Sequence, residues 1–249
     1  MRRWAVPALA LAGLLGACGD TGERVATAAR PEHVAAAPAQ VARVTPPRRG
    51  RLPRYESAAL LRATTLRARP GGPALARLGR RTEFGSPRIL SVIGRRGGWL
   101  RVLDSALPDG RSGWISGARV VMFPVTWRVD VSLGRRQVTV AHGGRVVQRF
   151  TVAVGRAASP TPTGRFAVTD KVRMRDPHGA YGCCALALTG HQPRVPQGWG
   201  GGDRLAIHGT DQPGSIGLAA SLGCLRAGEA DVRRLISTVP LGAPVFIHA

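Results

Sequence analysis

The stretch Trp127-Arg128-Val129-Asp130-Val131-Ser132-Leu133-Gly134-Arg135-Arg136-Gln137-Val138-Thr139-Val140 alternates apolar and polar side chains on both sides of a glycine-containing turn. Side chains along a strand point to opposite faces in turn, so Trp127, Val129, Val131 and Leu133 line one face and polar residues the other. Gly134-Arg135-Arg136 reverses the chain, Val138 and Val140 resume the alternation, and His142-Gly143-Gly144 turns it into a third apolar run over residues 146–154. Three such runs joined by short turns predict an antiparallel meander. Further along, Val232, Leu235, Ile236 and Val239 follow helical spacing. Glu229 and Asp231 fall near that helix's start, where the positive end of its dipole favours them. Pro244-Val245-Phe246-Ile247 predicts a closing strand. Residues 125–249 are therefore expected as a mostly β domain with one or two short helices.

Upstream, residues 58–122 show short strands and glycine turns: Thr65-Leu66-Arg67-Ala68-Arg69-Pro70-Gly71-Gly72, then Ala76-Arg77-Leu78-Gly79, then Gly98-Trp99-Leu100-Arg101-Val102 and Gly113-Trp114-Ile115. This spacing reads as a small all-β barrel. It resembles bacterial SH3-like domains, with their Gly-Trp pairs at the ends of late strands, and that resemblance implies a module that binds cell-wall peptides or spaces the domain after it. From the residues alone, Trp99 and Trp114 are expected as core aromatics. No catalytic residue is assigned to this segment.

A chain of 249 residues carries one or two domains, and 44% hydrophobic residues exclude wholesale disorder. The formal net charge is +22, nearly all of it from arginine, with Lys171 the single lysine. The arginines are spread along the chain, and no basic helix, zinc finger or aromatic RNA-binding motif accompanies them. The charge is read as a generally cationic surface, drawn to polyanions such as an anionic cell envelope, and no nucleic-acid partner is expected. At the N-terminus, Arg2 and Arg3 precede an apolar run over residues 5–16, as in a secretory signal. The run ends in Leu15-Gly16-Ala17-Cys18, which resembles the bacterial lipobox. That resemblance implies a signal peptide over residues 1–17, lipidation of Cys18 and a lipid-anchored protein of the cell envelope, outside the cytoplasmic membrane. Residues 18–57 are rich in Ala, Pro and Arg and interrupted by Pro31, Pro38, Pro46, Pro47 and Pro53, so a semi-rigid tether is expected there.

The chemistry lies in Ala206-Ile207-His208-Gly209-Thr210 and Ser221-Leu222-Gly223-Cys224-Leu225-Arg226. An apolar strand delivers His208 at its end, and Cys224 follows in a glycine-flanked turn expected just before a helix. A thiol attacks as the thiolate, which a nearby imidazole and a helix N-terminus both favour. A histidine can take the thiol proton and return one to a leaving amine. Gly223 lets backbone approach closely, and backbone N–H groups in the turn are expected to face a developing oxyanion. The planar guanidinium of Arg226 suits a substrate carboxylate.

A second motif, Thr161-Pro162-Thr163-Gly164-Arg165-Phe166, precedes these. The three blocks in this order resemble the L,D-transpeptidase (YkuD-type) catalytic domain, from about residue 126 to 248, and the resemblance implies a β-sandwich there. The resemblance implies that Cys224 is the nucleophile, His208 the acid and base, and the Gly209 carbonyl the group that orients the imidazole. It implies that Ser221, Gly223, Arg226, Thr210 and Tyr181 shape the substrate site. Many members have a histidine where this chain has Leu222, which places any accessory hydrogen bond there in question. The implied reaction is acyl transfer on peptidoglycan stem peptides. The same Cys and His serve a carboxypeptidase or a hydrolase that releases wall proteins, and a non-catalytic wall-binding lipoprotein is the alternative from another class. No metal or organic cofactor is implied, and carbapenem-type β-lactams are implied as covalent inhibitors.

Cys183 and Cys184 lie in Gly179-Ala180-Tyr181-Gly182-Cys183-Cys184. They are read first as two small side chains packed near the site, with a disulfide as the alternative. His178 and His191 are read as polar loop residues, and His33, His142 and His248 are assigned nothing.

Overall fold

The structure, a computed structural model, describes residues 55–194 and 202–249. The signal-like segment, Cys18 and nearly all of the expected tether lie outside the described residues.

The first half of the described chain forms seven strands: β1 (Tyr55–Leu60), β2 (Thr64–Arg67), β3 (Ala74–Leu78), β4 (Ile89–Arg96), β5 (Trp99–Leu103), β6 (Gly113–Ser116) and β7 (Val120–Val125). They order as β3-β2-β6-β5-β4-β1-β7 in one sheet. Strand β1 begins at Tyr55, inside the segment expected as tether. Alternation explains the core, because Leu66, Leu78, Leu90, Leu100, Val102 and Ile115 take the inward positions and are buried. The same alternation corrects the expectation for the tryptophans. Leu100 and Ile115 point inward, so their neighbours Trp99 and Trp114 point outward and are only half-buried.

The second half contributes β8 (Trp127–Ser132), β9 (Gln137–His142), β10 (Arg145–Gly155), β11 (Gly164–Arg173), β12 (Cys184–His191), β13 (Arg204–His208), β14 (Ala219–Ser221), β15 (Leu225–Ala227) and β16 (Pro244–His248), with helix α1 (Glu229–Thr238). Strands β8, β9 and β10 pair antiparallel in sequence, as the alternation predicts. The sheet order is β14-β10-β15-β13-β12-β11-β16-β8-β9. Strand β10 is 11 residues long, pairing with β9 through its first half and with β15 and β14 near its end. Hydrogen bonding therefore runs round the domain and closes on itself through the β9–β10 pair. Helix α1 buries Val232 and Leu235 against the core, a 3.6-residue repeat put to its usual use.

The two halves touch through polar contacts. Ser57 Oγ donates to the Gly242 carbonyl at 3.0 Å, Thr82 Oγ1 to Asp170, and Arg204 pairs with Glu83. The His191 backbone N–H donates to Asp109 at 2.9 Å, and its ring nitrogens meet Asp203 and the Ser105 carbonyl, each at 2.8 Å. His191 is thus the last residue of β12, held between the two halves, and not the loop residue expected.

Candidate active site

Strand β13 is buried along its whole length, and His208 is its last residue. Its parallel neighbour β15 pairs Leu225 with Ile207 and Arg226 with His208. Cys224 is one residue before the first of these pairs. The sulfur-bearing and imidazole-bearing positions are therefore diagonal neighbours on adjacent segments, with about 5 Å between strand axes. The paired register also puts Arg226 on the face of the sheet that carries His208.

His208 Nδ1 lies 2.5 Å from the Gly209 carbonyl. A carbonyl only accepts, so Nδ1 carries the proton and Nε2 keeps the lone pair. The Tyr181 ring packs over the imidazole, with centroids 4.7 Å apart and planes tilted by 49°. The Gly209 turn is braced from below. Its N–H donates to the Cys184 carbonyl at 3.2 Å, and a Cβ at Gly209 would run into the Glu229 carboxylate and approach Gly182 Cα at 3.0 Å. Glu229 also accepts the Cys183 N–H, at 3.0 Å to Oε2 and 3.2 Å to Oε1. Its place at the start of α1 was legible in the sequence; its role as a brace between the Cys183 and Gly209 backbones was not. Cys183 and Cys184 are joined as a disulfide, so the packing-only reading of this pair gives way to the bonded one.

The turn holding Cys224 is tied down by its own hydroxyl neighbour. Ser221 Oγ accepts the Gly223 N–H at 3.0 Å and donates to the Cys224 carbonyl at 2.5 Å. Ser221 is buried and shapes the turn from inside. Since the Gly223 N–H is already engaged, it is not an oxyanion donor in this arrangement. Gly223 has φ +122, and a Cβ there would meet the Gln192 side chain at 2.7 Å, so glycine is required on both counts. Gln192, buried at the end of β12, is a second residue that sequence reading missed; its Nε2 donates to the Pro160 carbonyl at 2.5 Å. Thr161 gives the Thr-Pro-Thr motif a structural role: its hydroxyl donates to the Gly223 carbonyl and accepts the Gly155 N–H, both at 2.8 Å. Thr161→Val removes both bonds while keeping shape, leaving buried groups unsatisfied at about 1–3 kcal/mol each. The expected outcome is a lower thermal midpoint and a loss in turnover, checked by calorimetry and steady-state kinetics on the same preparation.

Two expectations about Cys224 are corrected. Cys224 does not abut the helix: the strand β15 and Gly228 stand between it and α1, so the helix dipole acts at a distance over which it has largely faded. Nor is the resting thiol ionised. Burial pushes the Cys224 thiol up to about 12, against smaller lowering by a backbone hydrogen bond at Ala206 and by the Arg226 charge. Burial likewise pushes His208 down to about 4, with the Gly209 hydrogen bond opposing and Arg226 adding to the fall. Removing a charge from water outweighs the local partners, so at neutral pH the pair is a neutral thiol and a neutral imidazole. The thiol reaches the Arg204 carbonyl at 3.8 Å.

The remaining implied residues are placed as follows. Arg226 Nη1 donates to Gln212 Oε1 at 3.2 Å, and its charge reaches both Cys224 and His208. Thr210 is buried, and its hydroxyl accepts the Gln212 N–H at 3.0 Å. Tyr181 is half-buried over His208. A thiol, an imidazole with Nε2 unprotonated, and a guanidinium near both are the equipment of cysteine-based acyl transfer.

Residues 126–247 match the L,D-transpeptidase catalytic domain. The chain is 34% identical over 152 residues to the candidate L,D-transpeptidase YkuD of Bacillus subtilis (strain 168), covering 59% of this chain and 84% of that relative. It is 32% identical over 154 residues to YkuD of Bacillus licheniformis, covering 59% and 85%. A solved structure of L,D-transpeptidase 3 from Mycobacterium tuberculosis with a faropenem-derived adduct aligns with a TM-score of 0.43 at 16% identity, over 55% of this chain and 73% of that one. This chain belongs to the L,D-transpeptidase catalytic-domain family, of the YkuD type.

Proposed function

We propose that the protein is a peptidoglycan L,D-transpeptidase with Cys224 as nucleophile and His208 as acid and base. The observation that carries this reading is the Nδ1 bond from His208 to the Gly209 carbonyl, on a strand paired in register with the segment that follows Cys224. It leaves Nε2 as the base. Cys224 Sγ attacks the carbonyl before the terminal D-Ala of a stem tetrapeptide while His208 Nε2 takes the thiol proton. The tetrahedral intermediate collapses, the C–N bond breaks, and His208 gives the proton to the departing D-Ala amine. An amine from a second stem then attacks the thioester, passes its proton through His208 to sulfur, and forms the cross-link. Proton transfer accompanies attack, because the resting thiol is neutral. Arg226 takes a donor carboxylate, and Tyr181 and Thr210 lie along the stem peptide's path. A carbapenem-type β-lactam acylates the same sulfur.

In the same reading, residues 1–17 are a signal peptide and Cys18 is lipidated, anchoring the enzyme to a bacterial membrane in the cell envelope. Residues 58–122 form an SH3-like module, and residues 125–249 the catalytic domain. Product analysis on a purified disaccharide-tetrapeptide tests the reaction. Cross-linked dimer with released D-Ala is expected; shortened monomer alone would replace the amine acceptor by water.

A further inference from the structure

The outer face of the first sheet collects charge that nothing nearby balances. Register puts Thr65 opposite Arg77 on β2 and β3, Arg67 opposite Trp114 on β2 and β6, and Ser116 opposite Trp99 on β6 and β5. Directly paired residues point to the same side. Their neighbours Leu66, Leu100 and Ile115 fill the core, so this whole set faces outward. Thr65, Arg67, Arg77, Trp99, Ser116 and Arg119 line a cavity of about 380 Å³. Elsewhere in this half Arg88 pairs with Asp104 and Arg95 with Glu56. Among the described residues, Arg67, Arg77 and Arg119 have no carboxylate partner, and no carboxylate lines the cavity.

We propose that this cavity binds a saccharide bearing an anionic group, with the arginines taking the carboxylate or phosphate and the Trp99 ring taking the face of the sugar. Three like charges around one hollow raise its potential, and an anion entering relieves their repulsion. Guanidinium forks match carboxylate and phosphate oxygens in pairs. A half-buried indole offers a flat apolar surface beside them, while the Thr65 and Ser116 hydroxyls supply hydrogen-bonding groups. The cavity has Trp99 as its one aromatic lining residue, whereas a polynucleotide requires a basic groove that follows its backbone with several stacking rings. The site rests on the first sheet alone and stands or falls independently of Cys224.

Calorimetric titration of the full chain tests this with five probes, one of them inorganic phosphate. N-acetylglucosaminyl-N-acetylmuramic acid supplies a carboxylate on a sugar and lacks any peptide for the catalytic site. A glycosylated glycerol-phosphate oligomer supplies phosphate. Chitobiose has the rings without the charge, and a short single-stranded DNA has the charge in another polymer. One or both acidic saccharides are expected to bind at least about tenfold more tightly than chitobiose, and to weaken several-fold as salt screens the arginines. Which of the two binds identifies the source of the anion. Arg77→Gln/Arg119→Gln is expected to lose at least about tenfold in that affinity, with D-Ala release unchanged. Trp99→Ala is expected to weaken the saccharides while leaving inorganic phosphate binding unaltered. Arg67 is kept, because its guanidinium also holds the Gly72 carbonyl at 2.7 Å, whereas Arg119 makes only a longer bond, 3.4 Å, to the Ala63 carbonyl. Equal affinity for chitobiose, tighter binding of DNA, or full affinity in a folded double variant would overturn the proposal.

Discussion

His208→Gln is expected to lower kcat for D-Ala release by roughly 10³-fold, within the 10²–10⁴ that a positioned acid–base group contributes. Glutamine is close in length and can donate to the Gly209 carbonyl, so the turn and the packing beneath Tyr181 have a substitute. It cannot accept the thiol proton. The deficit grows from the electrostatics of the site, since a thiol held up near 12 has almost no thiolate to offer without a base. KM is expected to move little, because the imidazole's task begins after binding. A variant retaining more than a tenth of wild-type kcat would show that another group accepts the proton. Circular dichroism and the thermal midpoint verify that the variant is folded.

The second large effect concerns the resting thiol itself. A group whose pKa is raised stays protonated below that value. At pH 7 a thiol near 12 is ionised to about one part in 10⁵, against a few per cent for an ordinary cysteine near 8.5. Alkylation of Cys224 by iodoacetamide is therefore expected to be at least about 10³-fold slower than that of a model thiol at pH 7, and slower still because the sulfur is buried. The rate should climb close to tenfold per pH unit up to pH 10 and show no plateau. Denaturant should restore ordinary reactivity. A preformed imidazolium–thiolate pair would instead give fast labelling with a plateau beginning in the acid range. Peptide mapping separates Cys224 from Cys183 and Cys184, which are bonded to each other.

What the sequence made legible follows from how far each signal reaches along the chain. The meander β8–β10 was visible because Val129, Val131, Val138 and Val140 keep period two across tight turns. His208 at a strand end was visible for the same reason: an apolar run stops at His-Gly-Thr. The three-residue strand β15 was not, because Leu225–Ala227 is too short to show any period, and so Cys224 was read as leading directly into α1. Trp99-Leu100-Arg101-Val102 alternates, but alternation alone does not say which set faces inward. Arg101 beside Trp99 on the same face was the clue, since burying an arginine without a partner is costly. Glu229 was read through the helix dipole, a local effect; its contact with the Cys183 N–H spans 46 residues. The thiol's ionisation was misread because desolvation depends on the whole surrounding fold, whereas neighbouring motifs show only the charges close by.

The account rests on the buried sulfur of Cys224 performing the attack. Release of D-Ala from a defined disaccharide-tetrapeptide, by wild type and by Cys224→Ala in parallel, tests it most directly. The wild type is expected to release D-Ala, and Cys224→Ala, correctly folded, to release none above background. Release by Cys224→Ala at a rate near wild type, or none by the wild type, would contradict it.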